Sequence, residues 1–580
     1  MPDRQRAAAN RQPPMTADTG MGGIAGMKLS HLRPRSFETI RNYNSRLFGA
    51  DLAAGITVGI VALPLAMAFA IASGAPPQTG IITAVVAGFI ISFLGGTDVC
   101  IGGPTGAFVV ILAGIGAAHG WNDLMVCTML AGVFLLILGV TGLGRIIKYI
   151  PYPVTMGFTS GIAVLIMTTQ VKDFFGLTID KVPGEFFEKA VALCGAMPTI
   201  SIAATALSLG TFLFIRFWPK SFQKRVPGTI IAIVGATVIA YFLHLPVETI
   251  GSRFGAIPQG LPLPSFPHVD WLNIGTLVQP AITIALLAAI ESLLCAVVAD
   301  GMIDKRHNSD QELVAQGLAN IACPLFGGIA ATSAIARTAT NVKSGAKTPV
   351  AGVIHAVVLL LILLFLAPYA GFVPLAALSA VLLNVALHMG EWHNFKNMFR
   401  WPASDAAVFV TAFVLTVVID LTVAVEVGVV LAALLFIKRI SETSDVSLVD
   451  SQKEDEGNMH SLEGKVIPEG VMVYSMAGAL FFGAASKLET ILMRTKNEPD
   501  VLILRVRKVM AIDTTGLNAL ENLREKLARR GHAMVLSAPQ VQPLQTMEKS
   551  GFIERLGIEN VCPDIDAALI RAREILAAKK

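Results

Sequence analysis

Charge is what this sequence has least of. Asp, Glu, Lys and Arg make up 15% of its 580 residues and hydrophobic types 54%, whereas soluble domains carry about 25% charged residues. No water-facing shell can cover that much apolar surface, so most of the chain belongs in a lipid bilayer. Cysteine is scarce too. Cys100, Cys127, Cys194, Cys295, Cys323 and Cys562 are scattered and form no C-x-x-C pair. That excludes a zinc framework and a disulfide scaffold, and leaves reduced thiols in a packed interior. No metal and no cofactor is expected. The apolar part also lacks clustered His ligands, a nucleophile elbow and a Walker-type phosphate loop, so nothing supports an enzyme. The net charge of +4 marks no nucleic-acid surface, because Lys and Arg sit in short loops beside apolar segments, where they set membrane topology.

What is present is a succession of long apolar stretches. Candidate spans begin near Asp51, Gly80, Pro104, Asp123, Tyr152, Ile200, Gly228, Gly275, Glu312, Thr332, Pro349, Pro374, Asp405 and Leu421, about fourteen at roughly 20 residues per crossing. Residues 1–50 are rich in Pro, Gly and Arg and lack a signal-peptide core; they read as a mostly disordered cytoplasmic arm whose Phe37 to Phe48 stretch can settle on the membrane. The basic clusters Arg145/Lys148, Arg216/Lys220/Lys224/Arg225, Lys305/Arg306, Lys343/Lys347, Lys396/Arg400 and Lys438/Arg439 follow even-numbered spans. The positive-inside rule then places both termini in the cytoplasm, with the body in the cell inner membrane. The connection from His244 to Leu272 holds only Arg253 from the basic set and reads as an external loop.

Two segments interrupt the pattern: Gly102-Gly103-Pro104-Thr105-Gly106-Ala107-Phe108 and Gly327-Gly328-Ile329-Ala330-Ala331-Thr332-Ser333-Ala334-Ile335-Ala336-Arg337. They occupy matching third positions of two halves, which points to an inverted repeat whose half-helices meet at a midplane site. Half-helix N-termini present unpaired N–H groups and a positive dipole end, which favours anions. The alternative is that the glycines only permit close helix packing. Arg337 lies in an apolar segment, where a charge is costly unless paired or set in a wet cavity; it can hold an anion or form a structural ion pair. Glu291 sits mid-span in Ile290-Glu291-Ser292-Leu293-Leu294-Cys295. A carboxyl group in low dielectric holds a proton more readily, which makes Glu291 a candidate for proton coupling; the alternative is a fixed ionised partner of a backbone group or Arg337. Ser309-Asp310-Gln311-Glu312 matches a capping box at a helix start. Asp420 and Glu426 stay unassigned.

After Arg439 an acidic, polar linker, 441–463, leads to short β-like runs alternating with amphipathic helices over 464–580, a separate soluble α/β domain. Strands are expected at Val471 to Ser475, Val501 to Arg505 and Ala533 to Leu536, and helices at Ala485 to Arg494, Thr515 to Ala528 and Ile565 to Ala578. Asp513-Thr514-Thr515-Gly516 reads first as an N-cap; Thr514 and Thr515 could also accept phosphate at the positive helix end.

With these motifs the chain resembles the SulP family of anion transporters over 51–440, followed by a STAS domain. The residues that carry the resemblance are Leu63-Pro64-Leu65-Ala66-Met67-Ala68-Phe69-Ala70, Gly103-Pro104-Thr105-Gly106, Ala289-Ile290-Glu291-Ser292-Leu293-Leu294 and Ala336-Arg337-Thr338-Ala339-Thr340-Asn341. The resemblance implies an all-α polytopic membrane domain of about fourteen spans in two inverted repeats. It also implies a core domain moving against a gate domain, a homodimer, and a regulatory role or partner for the STAS domain. By motif position the anion contacts are Leu65 and Phe69, then Thr105, Gly106 and Ala107, then Ala336 and Arg337, with Glu291 as proton-coupling group and Ser292 and Cys295 as neighbours. Leu65 departs from the Gln of many sulfate-type members, and Glu291, Cys295 and Ile335 stand where sodium-coupled bicarbonate members offer oxygen ligands, so sodium coupling is disfavoured. The stretches Ala289 to Gly301 and Gly157 to Gly176 look most similar to the family's bacterial C4-dicarboxylate carriers. The expected activity is therefore secondary active, proton-coupled uptake of C4-dicarboxylates such as succinate, fumarate and aspartate by an elevator-like mechanism. Bicarbonate or sulfate transport, or an uncoupled anion channel, is the alternative.

Overall fold

The computed structural model describes residues 32–41, 43–143, 151–179, 183, 185–219, 228–269, 274–419, 421–443, 445–448, 465–481 and 499–579. Arg145, Lys148, Lys220, Lys224, Arg225, Asp420, most of the linker and the expected helix at Ala485 to Arg494 lie outside these residues. The chain forms two compact units, 1–401 with 406–428, and 402–405 with 429–580.

Near each expected span start the structure has a helix: α1 (Ser45–Ala72), α2 (Pro77–Leu94), α3 (Gly106–His119), α4 (Trp121–Val140), α5 (Tyr152–Phe175), α6 (Ile202–Phe217), α7 (Gly228–Phe242), α8 (Ile274–Ile303), α9 (Ser309–Leu325), α10 (Ile335–Lys343), α11 (Val350–Phe365), α12 (Leu375–Met389), α13 (Ala403–Val418) and α14 (Leu421–Thr443). Local chemistry sets several ends. Asn44 caps α1 by accepting from the Leu47 N–H at 3.0 Å, and Pro77 opens α2, where no amide donor is needed. Gly176, at φ +61°, closes α5 with its N–H on the Lys172 carbonyl. Small residues let helices touch along their backbones: a Cβ on Gly132 of α4 would lie 2.7 Å from the Gly317 carbonyl of α9, and one on Gly317 would lie 2.7 Å from that of Gly132.

Two local expectations need correction. Asp51 does not begin the first helix, which starts six residues earlier at Ser45. Its fully buried carboxylate instead accepts from the backbone N–H groups of Lys347 and Thr348, at 2.8 and 3.2 Å, and from the Thr348 hydroxyl. Nor does Ser309 to Glu312 form a capping box. Asn308 is the cap, accepting from the Gln311 N–H, and the Glu312 side chain turns inward to four donors, Gln316 one turn along its own helix and Gly96, Thr97 and Ser333 from elsewhere in the fold.

The second unit contains a mixed five-stranded sheet ordered β3 (Asp445–Leu448), β4 (Val471–Leu480), β5 (Val501–Ile512), β6 (Ala533–Ser537) and β7 (Val561–Cys562). β3 runs antiparallel to β4, and the remaining pairs are parallel. Alternation along β5 serves two cores. Val501 and Ile503 pack with Ile565 and Leu569 of α17 (Ile565–Lys579), whereas Leu502, Leu504 and Val506 face Leu520 and Leu523 of α15 (Thr514–Arg529) and Met547 of α16 (Val541–Lys549). Strands covered on both faces are apolar almost throughout, as the run Val501-Leu502-Ile503-Leu504 is.

Candidate anion site at two crossing half-helices

The two interrupted segments come together. Gly102–Gly103, here β1, pairs antiparallel with Thr332–Ser333, β2, through Gly102 opposite Ser333 and Gly103 opposite Thr332. An antiparallel contact sends the following helices in opposite directions, so α3 and α10 both start at the crossing. They have 14 and 9 residues, about 21 and 14 Å at 1.5 Å per residue, too short for a hydrocarbon core of about 30 Å. Each is a half-helix with unpaired N–H groups at its start.

Hydrogen bonds to α8 and α9 fasten the crossing. Thr332 donates to the Ala288 carbonyl at 3.0 Å, and Asn320 exchanges hydrogen bonds with the Ala331 backbone, at 2.8 and 2.9 Å. On the other arm, the Ile101 N–H donates to the Thr338 hydroxyl, and Asn341 donates to the Val99 carbonyl.

The proposed site residues occupy distinct places around this crossing. Glu291 accepts from the Thr105 hydroxyl at 2.9 Å, which links α8 to the turn before α3. Arg337 is buried, and its Nη2 donates to the Pro104 carbonyl at 2.9 Å; its Nε has no partner among the described residues. The guanidinium fits there because residue 103 is glycine: a Cβ on Gly103, whose φ is +144°, would stand 2.4 Å from Arg337 Nη1. Arg337 thus braces the turn that carries Thr105 while Ala336, one residue earlier, is exposed. Gly106 is packed against Phe69, with Ile166 and Met389 close by. Leu65 is half-buried and Ala107 buried. Ser292 donates to the Ala289 carbonyl of its own helix. Cys295 lies 3.8 Å from Cys100 and 3.2 Å from the Thr338 hydroxyl, so its sulfur is a packing contact. Ile166 and Met389 went unnoticed in the sequence, where each is one more apolar residue in a span. Among the described residues no group of three or more His, Cys, Asp or Glu side chains is placed to hold a metal ion.

Alongside the site lies a cavity of about 1320 Å³, whose lining includes Ala68, Val109 and Leu165 and, farther out, Thr169, Lys172 and Arg253. Ala68 and Val109 lie within two residues of Phe69 and Ala107 in sequence, and none of the assigned contact residues itself lines this space.

In the second unit, Asp513 caps α15 by accepting from the Gly516 N–H at 2.7 Å. Thr514 and Thr515 are exposed on its first turn. Residue 516 must be small, since a Cβ there would lie 2.0 Å from the Leu480 carbonyl.

A polytopic helical body with two half-helices meeting start to start, joined to a small α/β domain, defines a class of membrane anion transporters. The sequence profile of the sulfate permease family matches residues 48–412 and that of the STAS domain residues 465–568. The chain belongs to this family, SulP. It is 41% identical over 519 residues to the putative sulfate transporter YvdB of Bacillus subtilis, covering 89% of this chain and 96% of that one. It is 32% identical over 537 residues to the bicarbonate transporter BicA of Picosynechococcus, covering 89% and 92%. The structure of murine Solute Carrier 26 family member A9, an anion transporter in the inward-facing state, superposes with a TM-score of 0.84 over 96% of this chain and 97% of that one, at 20% identity. That last likeness concerns the fold.

Proposed function

We propose that this protein is a secondary active carrier that couples the movement of a small carboxylate or oxyanion to protons, by elevator-like displacement of the half-helix crossing. The observation that carries this reading is the Thr105–Glu291 hydrogen bond at 2.9 Å beside Arg337. With Glu291 ionised, the glutamate and arginine charges cancel and the crossing attracts an anion weakly. Protonation of Glu291 leaves the positive Arg337 and two helix starts uncompensated, so proton and anion favour each other's binding. Anion contacts are assigned to Leu65, Phe69, Thr105, Gly106, Ala107, Ala336 and Arg337. The membrane is the cell inner membrane with both termini cytoplasmic, and the carrier works as a homodimer.

C4-dicarboxylates are placed first as substrate because of the stretches Ala289 to Gly301 and Gly157 to Gly176. Bicarbonate is the second reading, favoured by the 32% identity to BicA. Thr514 and Thr515, exposed at a helix start, are assigned as phosphate acceptors through which the STAS domain regulates transport.

The test is uptake of radiolabelled succinate, fumarate, bicarbonate and sulfate into proteoliposomes, with and without an inward proton gradient and with sodium varied. Proton-driven accumulation is the expected result; equilibration indifferent to the gradient marks a channel, and sodium-dependent bicarbonate uptake overturns the coupling. Arg337→Ala should abolish saturable uptake, and normal transport by that variant removes the site.

A further inference from the structure

The helix Phe186–Gly195, between α5 and α6, is too short to cross a membrane and borders the cavity through Phe186, Glu188 and Lys189. Its other face carries Phe187 and Val191, 61% and 73% exposed, so Lys189 lies on the side turned to the cavity. The other two basic side chains of the Lys and Arg set that line this space are already engaged. Arg253 pairs with Asp173 at 2.8 Å and with Glu248, and Lys172 donates to the Ile179 carbonyl at 2.8 Å. Lys189 is half-buried, and its ammonium has no hydrogen-bond or ion-pair partner among the described residues. Glu185 and Glu188 line the same cavity without forming an ion pair with it. Burial holds the Lys189 ammonium below the ordinary lysine value.

A cation that has lost part of its water and gained no partner is a place where an anion restores what burial removed. We propose that Lys189 is a second, outer anion-binding residue, which holds a small carboxylate or oxyanion in the cavity before it reaches the half-helix crossing. The inference rests on the reading of the crossing as the transport site; the lining of the cavity includes Ala68 and Val109, within two residues of Phe69 and Ala107 in sequence. An anion held at Lys189 raises the local concentration above the inner site without joining the step that moves it. The effect therefore falls on apparent affinity, and the maximal rate stays the same.

The experiment compares the unaltered protein with Lys189→Gln, Lys189→Arg and Arg337→Ala in proteoliposomes. Concentration dependence is measured for whichever of succinate, fumarate, bicarbonate and sulfate the unaltered protein takes up. Lys189→Gln is expected to raise KM about tenfold at an unchanged maximal rate, with Lys189→Arg close to the unaltered protein. An unchanged KM in Lys189→Gln overturns the proposal, as does an equal loss in the Gln and Arg variants, which marks a packing role. A fall in protein yield with KM unmoved also overturns it, pointing to a lysine that serves the lipid surface. Full transport by Arg337→Ala is a different failure: it removes the inner site and leaves the Lys189 result to be judged on its own KM.

Discussion

Two glutamates on neighbouring helices of the membrane body, Glu291 on α8 and Glu312 on α9, have opposite surroundings. Glu312 is fully buried and accepts from the Gly96 N–H at 3.0 Å, Thr97 at 3.3 Å, Gln316 at 3.2 Å and Ser333 at 3.1 Å. Glu291 is only half-buried and has one donor among the described residues, the Thr105 hydroxyl. A carboxylate held by four donors is a structural anchor, because protonation forfeits bonds that nothing replaces. One held by a single hydroxyl, with part of its surface open, can exchange a proton at small cost to the fold. The anchor is also tied to the turn that carries Thr105: Ser333, one of the Glu312 donors, belongs to the β2 arm that pairs with β1 just before Thr105.

The sharpest way to break this contrast is to remove both carboxylates in turn. Glu312→Ala strands four buried donors, each costing about 1–3 kcal/mol when left unpaired. The detergent-solubilised variant should lose about 3 kcal/mol or more of stability, read as a large fall in Tm and poor recovery on size exclusion. Glu291→Gln keeps a hydrogen-bond acceptor for Thr105 and should leave Tm nearly unchanged while uptake ceases to respond to an imposed proton gradient. A retained proton response makes Glu291 a structural residue, and a well-folded Glu312→Ala erases the difference between the two.

This contrast was only partly legible in the sequence. The order and approximate starts of the helices were readable because each depends on a local apolar run and on local punctuation such as Pro77 or Gly176. The interruptions at Gly102 to Phe108 and Gly327 to Arg337 were readable as glycine-rich breaks in matching places. Glu312 was misread because Ser309-Asp310-Gln311-Glu312 satisfies a local rule, while the donor Gly96 is 216 residues away in sequence. Asp51 was taken for a span start for the same reason, its backbone partners being 296 and 297 residues distant. Arg337 stood out as a charge among apolar residues. Its engagement with the Pro104 carbonyl depends on a two-residue strand contact too short to leave any periodicity.

A smaller, more local effect comes from Gly103→Ala. The added methyl would meet Arg337 Nη1 at 2.4 Å in a backbone conformation, φ +144°, that L-residues rarely adopt. Displacing the guanidinium from Pro104 should lower the rate of uptake by more than about tenfold. The Glu312 anchor is untouched, so the variant should still purify as a folded protein. Normal uptake would show that Arg337 need not stay beneath the β1 turn for transport.

The smallest effect, and the finest test of the contrast, is expected from Thr105→Val. Valine nearly preserves the shape of threonine and removes the Thr105 donor to Glu291, while every Glu312 contact stays in place. A single net hydrogen bond is worth about 1 kcal/mol, or about fivefold in an equilibrium. Uptake driven by a proton gradient should therefore change about fivefold, with Tm unaltered. The pH at which uptake is half-maximal should move as well, because the ionised form of Glu291 loses a stronger hydrogen bond than the protonated form does. Combining Thr105→Val with Glu291→Gln should add little to Glu291→Gln alone, since both act on one bond. Independent, additive effects of the two substitutions would separate Thr105 from proton coupling and leave it as an anion contact at the half-helix start.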